Sequence, residues 1–162
     1  MESTKSPVPQ PGLTNAQKIV EFHDAVGAPV PPKPVVPSLE ILQLRQKLLQ
    51  EEFAEATEAW ETLTAVLQSN DRANPADVTS WVHELADLLY VTYGAILACG
   101  VDADAVFAEV HRANLSKAGG PRRADGKVLK PPGWQPADVR SVIEQQGNSA
   151  GWIDSQIECN HE

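Results

Sequence analysis

The sequence predicts an all-α fold, a bundle of four to five helices completed by oligomerisation, on three observations. Apolar residues recur every three or four positions through most of residues 14–147, the spacing that lines one side of a helix, and strands are hard to find. Helix-starting and helix-stopping residues bracket these periodic stretches. The stripes are broad and the helices few, so apolar area is left that one copy does not cover; a dimer is the minimum, and a dimer-of-dimers tetramer also fits.

The elements follow in order. Residues 1–13 read as a flexible N-terminus, and residues 14–147 as one domain, which the length of 162 residues permits. A first helix starts at Thr14 as N-cap and runs to near Val26, where Gly27 stops it. Residues 27–37, GAPVPPKPVVP, contain five prolines and read as a rigid extended connector. Ser38 caps a long second helix whose stripe passes through Leu42, Leu49, Phe53, Ala56, Trp60, Leu63 and Leu67. Asn74, Pro75 and Asp77 give a third helix its N-cap, N1 proline and acidic first turn; its stripe is Val78, Val82, Leu85, Leu89 and Ile96, and it is expected to end at Gly100. Asp102 caps a fourth helix carrying Val106, Phe107, Val110 and Leu115, expected to reach Gly119 and Gly120. A loop leads to a short last helix from Pro136 to Gln146. Residues 148–162 lack apolar periodicity and read as a mobile tail.

Two acidic motifs carry the chemistry. Glu51, Glu52 and Glu55 form EExxE on the second helix, and Glu84 and Asp87 form ExxD on the third, with 28 residues between the two sets. Both sets border apolar stripes, so packing the stripes brings five carboxylates together. Like charges a few ångströms apart raise one another's pKa, and a divalent cation relieves that cost. All-oxygen ligation suits a hard ion, Mg²⁺ or Mn²⁺, over zinc. The bland reading is a solvated acidic helix face, common because Glu favours helices. Against it stand the apolar neighbours of both sets and the scarcity of basic partners, of which only Arg45 and Lys47 closely precede the first set. His83 and His111 adjoin these motifs but read as packing or surface residues, and Trp60 and Trp81 as core packing.

EEFAE followed by HELADLLYVTYG resembles the signature of the MazG-like all-α nucleoside triphosphate pyrophosphohydrolases, a superfamily that includes phosphoribosyl-ATP pyrophosphohydrolase and the dimeric dUTPases. The stretch VHRANLSKAGGPRRADGKVLKPPGW, residues 110–134, resembles the phosphate-binding end of the same superfamily, and the likeness spans residues 39–145. The resemblance implies hydrolysis of a (deoxy)nucleoside triphosphate between its α and β phosphates, giving the monophosphate and pyrophosphate. It implies two or three Mg²⁺ or Mn²⁺ ions held by Glu51, Glu52, Glu55, Glu84 and Asp87, with Glu52 or Glu51 as general base. It also implies phosphate contacts by Asn114 and Lys117, an NxxK pair three residues apart on one helix face, with Arg122, Arg123, Lys127 and Lys130 as further candidates. The first helix, with Gln17, Val20, Glu21, Phe22 and His23, resembles the segment that closes over the nucleotide in related proteins. Similar proteins include bacterial enzymes acting on dUTP and phage enzymes cleaving dGTP or GTP. That likeness favours (d)GTP slightly, with dUTP as the alternative.

Composition agrees. A net charge of −9 argues against nucleic acid or an anionic membrane as partner. Residues 111–130, by contrast, hold six basic side chains against the single acid Asp125, a local +5 that suits a polyphosphate. Cys99 and Cys159 suggest no disulfide framework, and MESTKSPVPQ lacks the basic and apolar regions of a signal peptide. The expected location is the cytoplasm, that of the host if the chain is phage-encoded. Two rivals come from other classes. A di-iron bundle protein needs ExxH pairs on core helices, which neither EEFAE nor ELAD supplies; Glu158 and His161 form such a spacing only in the tail. A non-catalytic helical nucleotide-binding or regulatory protein would leave the acids as solvated charge.

Overall fold

A computed structural model describes residues 12–69 and 73–149, so the sequence expectations for residues 1–11 and 150–162, including Glu158, Cys159 and His161, lie outside the described residues. The described chain is all-α, with five α-helices and one isolated antiparallel bridge, Arg122 to Val128. It divides into two compact units. One holds the chain up to Val30 together with Val36–Ala98; the other holds Pro31–Val35 and the chain from Cys99 onward.

The first unit contains α1 (Asn15–Ala25), α2 (Leu39–Gln68) and α3 (Thr79–Leu97), with α3 packed against both α1 and α2. Thr14 starts α1 with a full capping box: its hydroxyl accepts from the Gln17 N–H at 3.2 Å, and the Gln17 amide oxygen accepts from the Thr14 N–H at 2.8 Å. Gly27, at φ +72°, terminates the segment in the left-handed region that glycine enters without strain. Ser38 caps α2 through the Ile41 N–H, as its sequence position predicts. The Asn74–Pro75–Asp77 start differs from expectation. Asn74 and Asp77 do cap one another, but the residues they nucleate, Pro75–Val78, form a 3₁₀ turn before α3 proper begins. At its other end α3 stops at Leu97, three residues short of Gly100.

Among the described residues of this unit the buried apolar side chains are Ala16, Ile19, Val30, Ala56, Leu97 and Ala98, and His23 is buried with them. The predicted stripes are otherwise half open. Phe53 is 64 % exposed, Trp60 50 % and Val82 54 %, so the expectation that Trp60 is core packing fails for the single chain. Phe53, Ala56, Trp60, Trp81, Leu85 and Leu88 instead line an apolar groove of about 190 Å³. Burying such side chains is worth roughly 1.5–3 kcal/mol each, a gain this chain alone leaves unrealised.

The second unit is built on α4 (Ala103–Leu115) and α5 (Val139–Asn148). The connector contributes Pro31–Val35 to it as non-helical chain that bends at Pro32 and Lys33, where the sequence predicted a rigid extended run: the Val35 N–H donates to the Cys99 carbonyl at 2.8 Å, and Lys33 lies so close to Gly100 that a Cβ there would sit 1.9 Å from the Lys33 carbonyl oxygen. Asp102 caps α4 through the Asp104 and Ala105 N–H groups, and its own N–H donates to the Gln146 side-chain oxygen on α5 at 2.9 Å. The fourth helix ends at Leu115 instead of reaching Gly119 and Gly120. The reason is competition for one carbonyl: Ala113 accepts from the Ser116 hydroxyl at 2.8 Å and the Trp134 indole N–H at 2.8 Å, while the Lys117 N–H turns to Asn114. The last helix likewise starts at Val139 and not Pro136, because Asp138 caps it through the N–H and hydroxyl of Ser141.

Candidate functional site

Three of the five predicted carboxylates meet. Glu52 and Glu55, on the face of α2 beside buried Ala56, and Glu84 on α3 each offer an oxygen within 4.8 Å of the other two. No basic side chain forms an ion pair with any of the three among the described residues. Glu52 registers the crowding. Its carboxyl is held above the usual range, first by partial burial and then by the charges of Glu55, Asp87, Glu84 and Glu51, in that order. The other four acids of the two motifs therefore all act on the Glu52 carboxyl.

The other two are partly engaged locally. Glu51 sits 3.4 Å from Lys47 one turn back on α2, an exposed pair of small energetic weight. Asp87 lies 3.1 Å from Nε2 of His83, also one turn back. The histidine left out of the acidic set thus contacts one of its members.

Two turns from Glu52 on the same helix, Arg45 donates through Nη2 to Nε2 of buried His23 at 3.3 Å, and its Nε is buried without a partner. Burial first and the Arg45 charge second lower the His23 pKa, so the imidazole is neutral and accepts. Gly94 makes room for this pair: a Cβ there would approach Nη1 of Arg45 to 3.2 Å. No sequence motif marked this pair. Between α1 and α3 lies a cavity of about 230 Å³ walled by Ile19, Ala86, Leu89, Tyr90 and Tyr93, with Asn15 and Lys18 as its polar members.

The predicted basic residues of the second unit divide into two kinds. Arg123 pairs with Asp125, and Arg122 donates to the Gly126 carbonyl at 3.3 Å, so both brace the 121–129 turn. Lys127 extends the same turn, its N–H donating to Asp125 and its carbonyl accepting from the Arg123 N–H. Lys117 lies beyond the end of α4, contrary to a shared helix face, yet its ammonium still reaches the Asn114 side-chain oxygen at 2.6 Å. Lys117 and Lys130 both lie over the Trp134 ring, 5.3 and 4.2 Å from its centroid. The sequence pointed to the lysines and passed over the tryptophan.

Three crowded carboxylates without a cation offer an all-oxygen donor set that a hard divalent ion fits. No helix among the described residues is long and apolar enough to cross a membrane. No curated protein matches the chain. A family model described as phosphoribosyl-ATP pyrophosphohydrolase matches residues 19–114, the stretch holding both acidic motifs.

Proposed function

This chain belongs to the phosphoribosyl-ATP pyrophosphohydrolase family, within the MazG-like all-α superfamily, and from that premise we propose that it hydrolyses the α/β phosphoanhydride of a (deoxy)nucleoside triphosphate. The products are the monophosphate and pyrophosphate. The observation that carries the reading is the meeting of Glu52, Glu55 and Glu84 within 4.8 Å with no cation paired to them. Glu51 and Asp87 complete the proposed ligand set.

Glu51, Glu52, Glu55, Glu84 and Asp87 would hold the divalent ions, Mg²⁺ or Mn²⁺, which would supply neutralisation of phosphate charge and a more acidic water. The protein's own part is to hold the oxygens apart at fixed spacing on two packed helices, so that little reorganises when substrate arrives. Glu52 is the favoured general base. Glu51, the alternative given by the family resemblance, is drawn toward Lys47. Lys117 and Lys130 are the favoured phosphate contacts of the second unit, since no acid neutralises either, while Arg122 and Arg123 serve their own turn. Guanine nucleotides are slightly favoured as substrate, on resemblance to the phage enzymes alone.

The test is a panel of ribo- and deoxynucleoside triphosphates incubated with Mg²⁺ or Mn²⁺, with products separated by ion exchange. Monophosphate plus pyrophosphate from one base establishes reaction and substrate together. Diphosphate plus phosphate contradicts the bond assigned. No turnover across the panel removes the enzymatic reading and favours a non-catalytic nucleotide-binding protein.

A further inference from the structure

The four arginines of the second unit have local anionic or carbonyl partners, Arg122 through the Gly126 carbonyl. Arg112 is held by Glu109, Arg123 by Asp125, and Arg140 by Glu144. Lys117 and Lys130, like Lys33 and Lys127, have no carboxylate within ion-pair distance among the described residues; what sets them apart is that both lie over one aromatic ring. Each ammonium is attracted to the electron-rich indole face, which holds it in place without neutralising its charge. The ring itself is fixed: the Trp134 indole N–H donates to the Ala113 carbonyl at 2.8 Å, in the last turn of α4, one residue before Asn114. That bond also helps end α4, which puts Lys117 in the following turn with its ammonium 2.6 Å from the Asn114 oxygen.

We infer that Trp134 is a positioning residue: tied to the end of α4 by its N–H, it presents Lys117 and Lys130 as a two-cation clamp for a polyphosphate anion. Asn114 completes the clamp by accepting from Lys117, while its own side-chain NH₂ donates to the Val110 carbonyl at 3.0 Å and so fixes which way the amide faces. The inference rests on the nucleotide reading above for its choice of anion. It adds a residue, Trp134, and an arrangement that the NxxK spacing does not contain. A residue that merely filled space beneath two lysine stems would serve as well if its N–H were absent and its face aliphatic; the indole does both jobs because it donates at one edge and attracts cations over its ring.

The test uses inorganic pyrophosphate as probe with the full chain, in metal-free buffer, by calorimetry. Expected is measurable binding by the unmodified protein, weakened at least tenfold by Lys130→Met and by Trp134→Leu, and partly restored by Trp134→Phe, which keeps the aromatic face. Circular dichroism and thermal midpoints of each variant, compared with the unmodified protein, separate lost binding from lost folding. Because Lys130→Met removes only an exposed charge, it keeps the test alive if Trp134→Leu unfolds. In parallel, nucleotide hydrolysis by the same variants should show a raised KM with kcat changed less than threefold. Pyrophosphate affinity unchanged in Lys130→Met, or no pyrophosphate binding by the unmodified protein, overturns the clamp. A protein that binds pyrophosphate through this clamp and hydrolyses no nucleotide keeps the anion site and sinks the enzymatic reading instead.

Discussion

Replacing Glu52 with Gln should make the protein more stable without metal and less stable with it. The Glu52, Glu55 and Glu84 oxygens lie within 4.8 Å of one another, so Glu52 faces two like charges at that range. At a water-like dielectric each such pair repels by about 1 kcal/mol, the low estimate being the right one for a half-open site. Removing the Glu52 charge thus relieves about 2 kcal/mol, and for a chain of this size a gain of that order raises Tm by roughly 4–8 °C. The sign follows from linkage. The Glu52 pKa is raised in the folded state, by burial and then by its acidic neighbours, so the folded protein holds a proton there that the unfolded chain releases. Metal-free stability therefore falls as pH rises from the ordinary carboxylate range through the raised value, and Glu52→Gln should flatten that fall. With metal the order reverses: an ion at about a hundredfold excess over its Kd stabilises the native protein by about 2.7 kcal/mol, and the variant forfeits most of this. Scanning calorimetry of both proteins in EDTA and in 10 mM Mg²⁺ or Mn²⁺, each between pH 5 and 8, reads all four states. A variant that is no more stable than the parent in EDTA refutes the crowding argument. A parent whose Tm ignores both metals refutes the ion site.

Three further outcomes are expected. Glu109, held by Arg112 first and then by the Asp138 N–H, has its pKa pulled from 4.5 down to about 2, so its stabilising contribution is present above the unfolded value and disappears as pH falls toward 2. Urea midpoints of the parent and Glu109→Gln should accordingly differ at pH 6 and draw steadily closer as pH falls from 4.5 toward 2, and a gap that stays constant would count against this pairing. Gly100→Ala places a Cβ 1.9 Å from the Lys33 carbonyl oxygen at a φ of +65°, so it should cost about 3 kcal/mol or more by denaturant titration; a loss under 1 kcal/mol would mean that the connector is free to move aside. Phe53→Glu with Trp60→Glu should convert an oligomer to a monomer by light scattering, since those side chains are 64 and 50 % exposed in the single chain; a monomeric parent at micromolar concentration refutes the oligomer outright.

The sequence disclosed most about the elements whose signals are local. Thr14, Ser38 and Asp102 cap the helices their positions announce, because a capping side chain bonds to backbone two or three residues away and needs no tertiary partner. The acidic motifs were legible for a related reason: helical spacing sets Glu52 and Glu55 on one face, and the apolar stripes that both acidic sets border indicate which faces pack to bring Glu84 beside them. What stayed hidden depends on long-range contacts. The end of α4 is decided by Trp134, 21 residues from the carbonyl it captures, and no periodicity announces such a bond. The His23–Arg45 pair joins residues 22 apart through packing around Gly94, so it too was invisible. The apolar stripes misled in one respect, since periodicity reports which face is apolar and not whether the same chain covers it.

A division of labour among the charges supports the functional reading independently of any motif. Charges that serve the fold are neutralised close by: Glu109 bonds both Arg112 and the Asp138 backbone, and Arg123 closes on Asp125. Among the charges assigned to chemistry, Glu51 and Asp87 have local partners in Lys47 and His83, but five others do not. Glu52, Glu55 and Glu84 crowd together with no cation, and Lys117 and Lys130 share an indole with no anion. A fold selected for stability alone gains nothing from the crowded acids, because they cost free energy that a single exchanged residue would recover. Each unit, taken by itself, keeps charge that a ligand of opposite sign would relieve, a divalent cation for the acids and a polyphosphate for the lysines, and Glu52→Gln measures the acidic case directly.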